Sequence, residues 1–220
     1  MKKMFFIFLL LFLTLSIYAS EAIQLARLQY EGGGDWYNDP EIIPNLSEFI
    51  NDNIPINLDK QEKVLTLTDN DLSRYPFIFV CGHGNILFSD DEVNNLREYL
   101  LSGGFLYADD DYGMDASFRR EIKRVFPEKE FVELPLNHQI FNAYYEFKNG
   151  LPKIHEHDLK RPQLFALFDD NGRIMVLYSY ESNISDGWAD YNTHNNPDDV
   201  RQTALKFGLN IFFYIFNERI

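Results

Sequence analysis

Cysteine is nearly absent from this chain. Cys81 stands alone in 220 residues, so no disulfide can form within it and the core must carry the stability. Several signatures of chemistry are also missing. There is no phosphate loop with its lysine, no GxGxxG, no GxSxG and no HExxH. Gly32, Gly33 and Gly34 stand in a row, but no lysine and hydroxyl follow to make them a phosphate cradle. Basic residues are few: 20 Lys and Arg face 34 Asp and Glu, a net charge of −14. Such a surface repels nucleic acid and anionic lipid, and suits a neutral or cationic ligand or a metal ion. Repeats, low-complexity tracts and long Pro/Ser linkers are absent, so no internal domain boundary is drawn.

The first twenty residues form a separate segment. Lys2 and Lys3 precede an apolar run from Met4 to Leu15, and Ala19 or Ser20 offers a cleavage point. The run is short for a bilayer span of roughly 20 residues, which favours a signal peptide over an uncleaved anchor. Residues 1–20 are therefore expected to be a signal peptide and 21–220 a single α/β domain. A periplasmic or secreted location follows, with no membrane insertion after cleavage. The remaining chain would carry 18 basic and 34 acidic residues, a net of −16.

The domain reads as alternating strands and helices. Residues 22–30 form a first strand ending in EGGGDWYNDP, and Pro40 opens a helix to about Phe49. Residues 64–68 and 77–80 read as strands. Ser89 and Glu92 make a capping box for the next helix, which Gly103-Gly104 ends. Residues 105–108 form a strand, Asp115 caps a helix to Phe126, and 130–134 form another strand. Residues 163–168 and 173–180 pair as a late β-hairpin through Asn171-Gly172. Asn196 and Pro197 start a long final helix. The expected fold is a three-layer α/β domain with a mainly parallel sheet and antiparallel additions.

Residues 76–113 organise the site. One strand runs into Cys81 and His83, the next into Asp109, Asp110 and Asp111. In an open parallel sheet these clusters lie side by side at the carboxyl edge, where such folds bind ligands. Cys81 and His83 could pair as thiolate and imidazole, but a cysteine ending an apolar strand is ordinarily a buried small hydrophobe. His83, between two glycines, is the better acid/base or ligand-orienting group. Three adjacent carboxylates cannot all point one way. Asp109 and Asp110 are the candidate base, hydroxyl acceptors or metal ligands, against the plainer reading of an acidic cluster before a helix.

All five histidines read as connection residues: His83, His138, His155, His157 and His194. A loop histidine is ordinarily just solvated, yet loops also carry function. The run HEHD at 155–158 has metal-ligand character, so a divalent metal is a candidate cofactor, with its identity unknown. Trp36, Tyr112 and Trp188 sit beside acids in polar loops. Aromatic faces next to carboxylates are what a carbohydrate site needs, though such rings also cover loop backbone. The candidate ligand-binding set is Gly33, Gly34, Asp35, Trp36, Tyr112, His138, His155, Trp188 and His194. The catalytic candidates are His83, Asp109 and Asp110.

The segments YEGGGDWYNDP (30–40), GHGN (82–85), FSDDEVNNLREYLLSGGFLYADD (88–110), SFRREIKRVFP (117–127), LPLNHQIF (134–141), LPKIH (151–155) and SDGWAD (185–190) with the later HN (194–195) resemble, in order, the bacterial domain-of-unknown-function family 4159. The resemblance implies a flavodoxin-like sheet similar to that of class I glutamine amidotransferases, and an exported or membrane-linked protein of Gram-negative bacteria. It supplies no activity. Amidotransferases of this fold place their cysteine after the strand that follows a Gly-Gly helix end. Here that place holds Ala108, Asp109 and Asp110, and Cys81 lies one strand earlier, so glutamine amidase chemistry is not supported. The expected function is binding, with hydrolysis as an added step, of a small polar ligand such as a carbohydrate. The rival is a non-catalytic interaction module with a protein partner in an envelope complex.

Overall fold

The computed structural model describes residues 22–217, and the expected signal peptide lies outside them. Seven strands form one sheet: β1 (Ala26–Leu28), β2 (Lys63–Leu65), β3 (Ile78–Val80), β4 (Leu106–Asp109), β5 (Val132–Glu133), β6 (Gln163–Phe168) and β7 (Ile174–Tyr180). Their order is β2-β1-β3-β4-β7-β6-β5. The pairs from β2 to β7 are parallel, and β6 and β5 are antiparallel additions. The helices are α1 (Ile42–Asn53), α2 (Asp90–Leu101), α3 (Asp115–Val125), the single turn α4 (Tyr191–His194) and α5 (Asp198–Asn217). This is a three-layer, flavodoxin-like α/β fold.

The layering follows from the strand residues. Phe79, Tyr107 and Leu177 face one way and pack with α1 and α5. Ile78, Val80, Leu106, Ala108, Val176 and Tyr178 face the other way and pack with α2 and α3. Side chains alternate along a strand, so a strand covered on both faces must be apolar throughout. From β1 the chain crosses by α1 to β2 on one side; from β3 it crosses by α2 to β4 on the other. Right-handed crossovers then put α1 and α2 on opposite faces. The connections that leave the carboxyl ends of β1 and β3 run to opposite faces at that switch, the place where open α/β sheets take their ligands.

Local chemistry sets most element ends. Ser89 Oγ accepts from the Glu92 amide at 3.2 Å, and Glu92 Oε2 accepts from the Ser89 amide at 2.8 Å, the expected capping box. The hairpin closes at Asp169–Arg173 with Gly172 at φ 84°; Asn171 does not take a positive φ. Three expectations need correction. Asp115 is the first residue of α3 rather than its cap. Pro197 O accepts the α5 bond from Arg201, while the Asn196 side chain points elsewhere. His194 ends the one-turn helix α4 instead of lying in irregular loop.

Candidate functional site

The carboxyl edge divides into an exposed rim and a buried polar cluster. The rim forms at the switch between β1 and β3. Asp35 follows β1 and His83 follows β3. Asp35 Oδ1 accepts from the His83 amide, and Asp35 Oδ2 lies 3.1 Å from His83 Nδ1. The His83 side chain is 53% exposed. With Nδ1–H on the carboxylate, Nε2 keeps its lone pair toward solvent, the orientation that suits a general base.

Glycine makes this approach feasible. A Cβ on Gly82, at φ 131°, would lie 2.4 Å from the Tyr30 hydroxyl, and one on Gly34 would lie 2.8 Å from His83 O. Gly33 sits on the rim with open space around it. Tyr112 is half exposed and stacks on His157 at 4.7 Å between centroids. Trp36 is partly buried and meets Tyr37 edge-on.

Strand alternation splits the three aspartates. Asp109 and Asp111 point to the α1 and α5 side, Asp110 to the α3 side. Asp109 is fully buried and accepts from Ser179 Oγ, from the Ser185 amide at 2.7 Å and from Ser185 Oγ at 2.6 Å. Burial lifts its pKa to about 6 against those donors. Asp110 accepts from the Met114 amide at 2.9 Å and is also lifted to about 6, first by burial. Burial together with Asp186 and Asp109 holds Asp111 well above the carboxylate range. Asp111 Oδ2 accepts from Asn38 Nδ2 at 2.6 Å.

The corrections to the candidate set are physical. Asp109 and Asp110 are buried and occupied by protein donors, so neither presents a free carboxylate to a ligand. Trp188 is 1% exposed, packs on Phe79 and Tyr107, and donates its Nε1–H to Ala204 O. It is a core residue without a free face. His138 packs against Tyr214, near the far end of α5, about 24 Å along the helix from its carboxyl-edge start. It joins no other candidate. Cys81 is buried, donates to Asn38 Oδ1 and accepts from Arg27, and burial raises its pKa well above the thiol range. That thiol is no nucleophile.

His155 and His194 do meet. His155 Nδ1 lies 2.7 Å from Asp186 Oδ2, and His194 Nε2 lies 2.6 Å from Asp39 Oδ2 and 3.8 Å from Asp186 Oδ1. The rings are 5.3 Å apart. His157 turns away to Tyr112, so the HEHD run does not act as one unit.

Several members escape the sequence reading. Buried Arg27 binds Glu62 at 3.0 Å and clamps the carbonyls of Trp36, Asn38 and Asp39. Asn183 donates to Asp111 O at 2.5 Å and to Asp186 Oδ2 at 3.2 Å. Asn196 joins His155 to the Asp186 carbonyl. Among the described residues, four of the five non-glycine residues with left-handed φ, namely Asp39, Glu181, Asn183 and Asn195, lie at this edge. Each such residue costs about 1–3 kcal/mol, a cost that concentrates at functional sites.

Two grooves of about 430 and 730 Å³ lie elsewhere, around Leu72, Tyr99 and Gly104 and around Tyr145, Leu151 and Lys206. Neither contains a histidine or one of the clustered aspartates.

A family model described as a domain of unknown function (DUF4159) matches residues 24–216. No curated protein matches the chain.

Proposed function

This chain belongs to the DUF4159 family, and from that premise we propose that it binds a small, neutral, hydroxyl-bearing ligand, of the carbohydrate class, at the rim where the β1 and β3 carboxyl ends meet. The observation that carries this reading is the exposed Asp35–His83 pair at the topological switch, where open α/β sheets take their ligands. His83 would orient a hydroxyl or take its proton. The backbone around Gly33 would approach the ligand closely, and Tyr112 would offer an aromatic face. The acidic surface argues against an anionic ligand.

We place this activity outside the cytoplasm. Lys2, Lys3 and the apolar run to Leu15 support export. Among the described residues no helix is long and apolar enough to cross a membrane.

The test is a thermal melt against a panel of neutral mono- and oligosaccharides. A sugar present at about 100 times its Kd should add about 2.7 kcal/mol and raise Tm by about 5–10 °C. His83→Ala and Asp35→Ala should each reduce that shift. A panel without any shift, or a shift indifferent to both variants, removes the reading.

A further inference from the structure

The buried half of this edge gathers four carboxyl groups. Asp39, Asp109, Asp111 and Asp186 converge there. Two imidazoles face them, His155 and His194, each about a quarter exposed. One Nδ1 or Nε2 from each ring and one Asp186 oxygen all lie within 4.8 Å of one another. Ligands of a tetrahedral zinc ion, with bonds of about 2.0–2.2 Å, stand roughly 3.3 Å apart. Small side-chain shifts would bring these three atoms to that spacing.

The hydrogen bonds fix which nitrogen is on offer. The Asp186 carbonyl can only accept, so Asn196 Nδ2 is the donor to it at 3.1 Å. That sets the amide, and Asn196 Oδ1 must face His155 Nε2 at 3.0 Å. Nε2 therefore carries the proton. Nδ1, on the Asp186 side, is either protonated as well or free to bind a cation. A metal-ligating histidine is held in this way, its far N–H on a carbonyl oxygen.

A separate observation also points to a missing ligand. Asn183 is 1% exposed, and its Oδ1 has no hydrogen-bond partner while its Nδ2 is engaged by Asp111 and Asp186. A buried amide oxygen left unpaired costs about 1–3 kcal/mol. A metal-bound water beside Asp186 would fill that need.

We infer that His155, Asp186 and His194 form a site for one divalent first-row metal ion, of the zinc class. Two imidazoles and a carboxylate suit zinc, cobalt or iron, and do not suit calcium or magnesium, which prefer oxygen ligands. Three protein ligands leave a position for water. Asn196 is the positioning residue, and the partial exposure of both rings gives the ion its way in. This site does not depend on ligand binding at His83.

The purified full chain, stripped with chelator, is titrated with Zn²⁺ and Co²⁺. The expected result is one equivalent bound, with Co²⁺ showing the intense visible bands of a low-coordinate ion. His155→Ala and His194→Ala should abolish those bands. Asn196→Ala should weaken Zn²⁺ binding by about 10- to 100-fold. His157→Ala and His83→Ala should leave it unchanged. Where a ligand variant fails to fold, native protein decides: Zn²⁺ should protect His155 and His194 from diethyl pyrocarbonate and leave His157 reactive. Absence of binding to the native chain overturns the site. So does binding that survives both ligand variants or is lost with His157, and so does a failure of Zn²⁺ to protect the two histidines.

Discussion

Asp110 is a carboxylate in a place that favours a neutral group. It is 6% exposed and faces the acids Asp115 and Glu181, whose own partners are Arg119 for the first and Lys153 and Lys160 for the second. The Met114 amide and the Tyr178 hydroxyl offset part of the cost, yet the folded pKa is still about 6. The unfolded chain would ionise near the ordinary value of about 3.9. Folding with Asp110 ionised is therefore penalised above pH 6. The penalty fades as pH falls through about 4 toward about 3, where both states hold the proton. Asp110→Asn keeps the acceptor for Met114 and removes the charge. It should raise stability at about pH 7.5 by about 1–3 kcal/mol, and by almost nothing at about pH 3. Urea unfolding of both proteins across that range measures this. A difference that stays constant with pH would show that the charge is not what separates them.

At the scale of the element, α5 shows how packing overrides propensity. Gly208 sits in the middle of this helix, where alanine ordinarily gains about 1 kcal/mol. Here a Cβ would lie 2.5 Å from Leu46 Cδ1 and 2.9 Å from Trp188 Cζ2. Gly208→Ala should instead destabilise by about 1–3 kcal/mol. In a Leu46→Ala background the penalty should shrink, because the nearest atom is gone. Unfolding midpoints of the four proteins in the cycle measure the coupling. The same helix explains what the sequence could and could not reveal. The α2 capping box was legible because its partners are three residues apart. That Asp35 and His83 both stand at the carboxyl edge was legible because both follow apolar strands; that they pair with each other was not. Trp188 was not. A tryptophan beside aspartates looks like a ligand platform until α5 crosses over it. The buried cluster was equally hidden, since Asn38 and Asp111 are 73 residues apart and meet only once the sheet forms.

The whole molecule is two apolar layers on a single sheet, and its two tryptophans report on opposite layers. Trp188 is buried in the layer of α1 and α5, and Trp36 packs against the layer of α2 and α3. Neither layer has a sheet of its own. Loss of β3 or β4 strips apolar partners from both, since Phe79 and Tyr107 serve one face while Val80 and Ala108 serve the other. The polar edge adds a second tie. Arg27 on β1 holds the carbonyls of the 36–39 loop and touches Cys81 beyond β3, and Asn38 in that loop binds Asp111 beyond β4. Melting of one face alone would leave buried polar groups on the other without partners, at about 1–3 kcal/mol each. The layers should therefore unfold together. Single-tryptophan variants test this directly. In Trp36→Phe, fluorescence follows the α1/α5 layer; in Trp188→Phe, it follows the opposite one. Within each variant the fluorescence midpoint in urea should coincide with the midpoint from far-ultraviolet circular dichroism, as two-state unfolding requires. The two variants should differ from each other, since removing bulk at Trp188 costs core packing and removing it at Trp36 costs less. If fluorescence and circular dichroism separated within either variant, one layer would be melting ahead of the other, and the shared strands and the polar edge would not couple them.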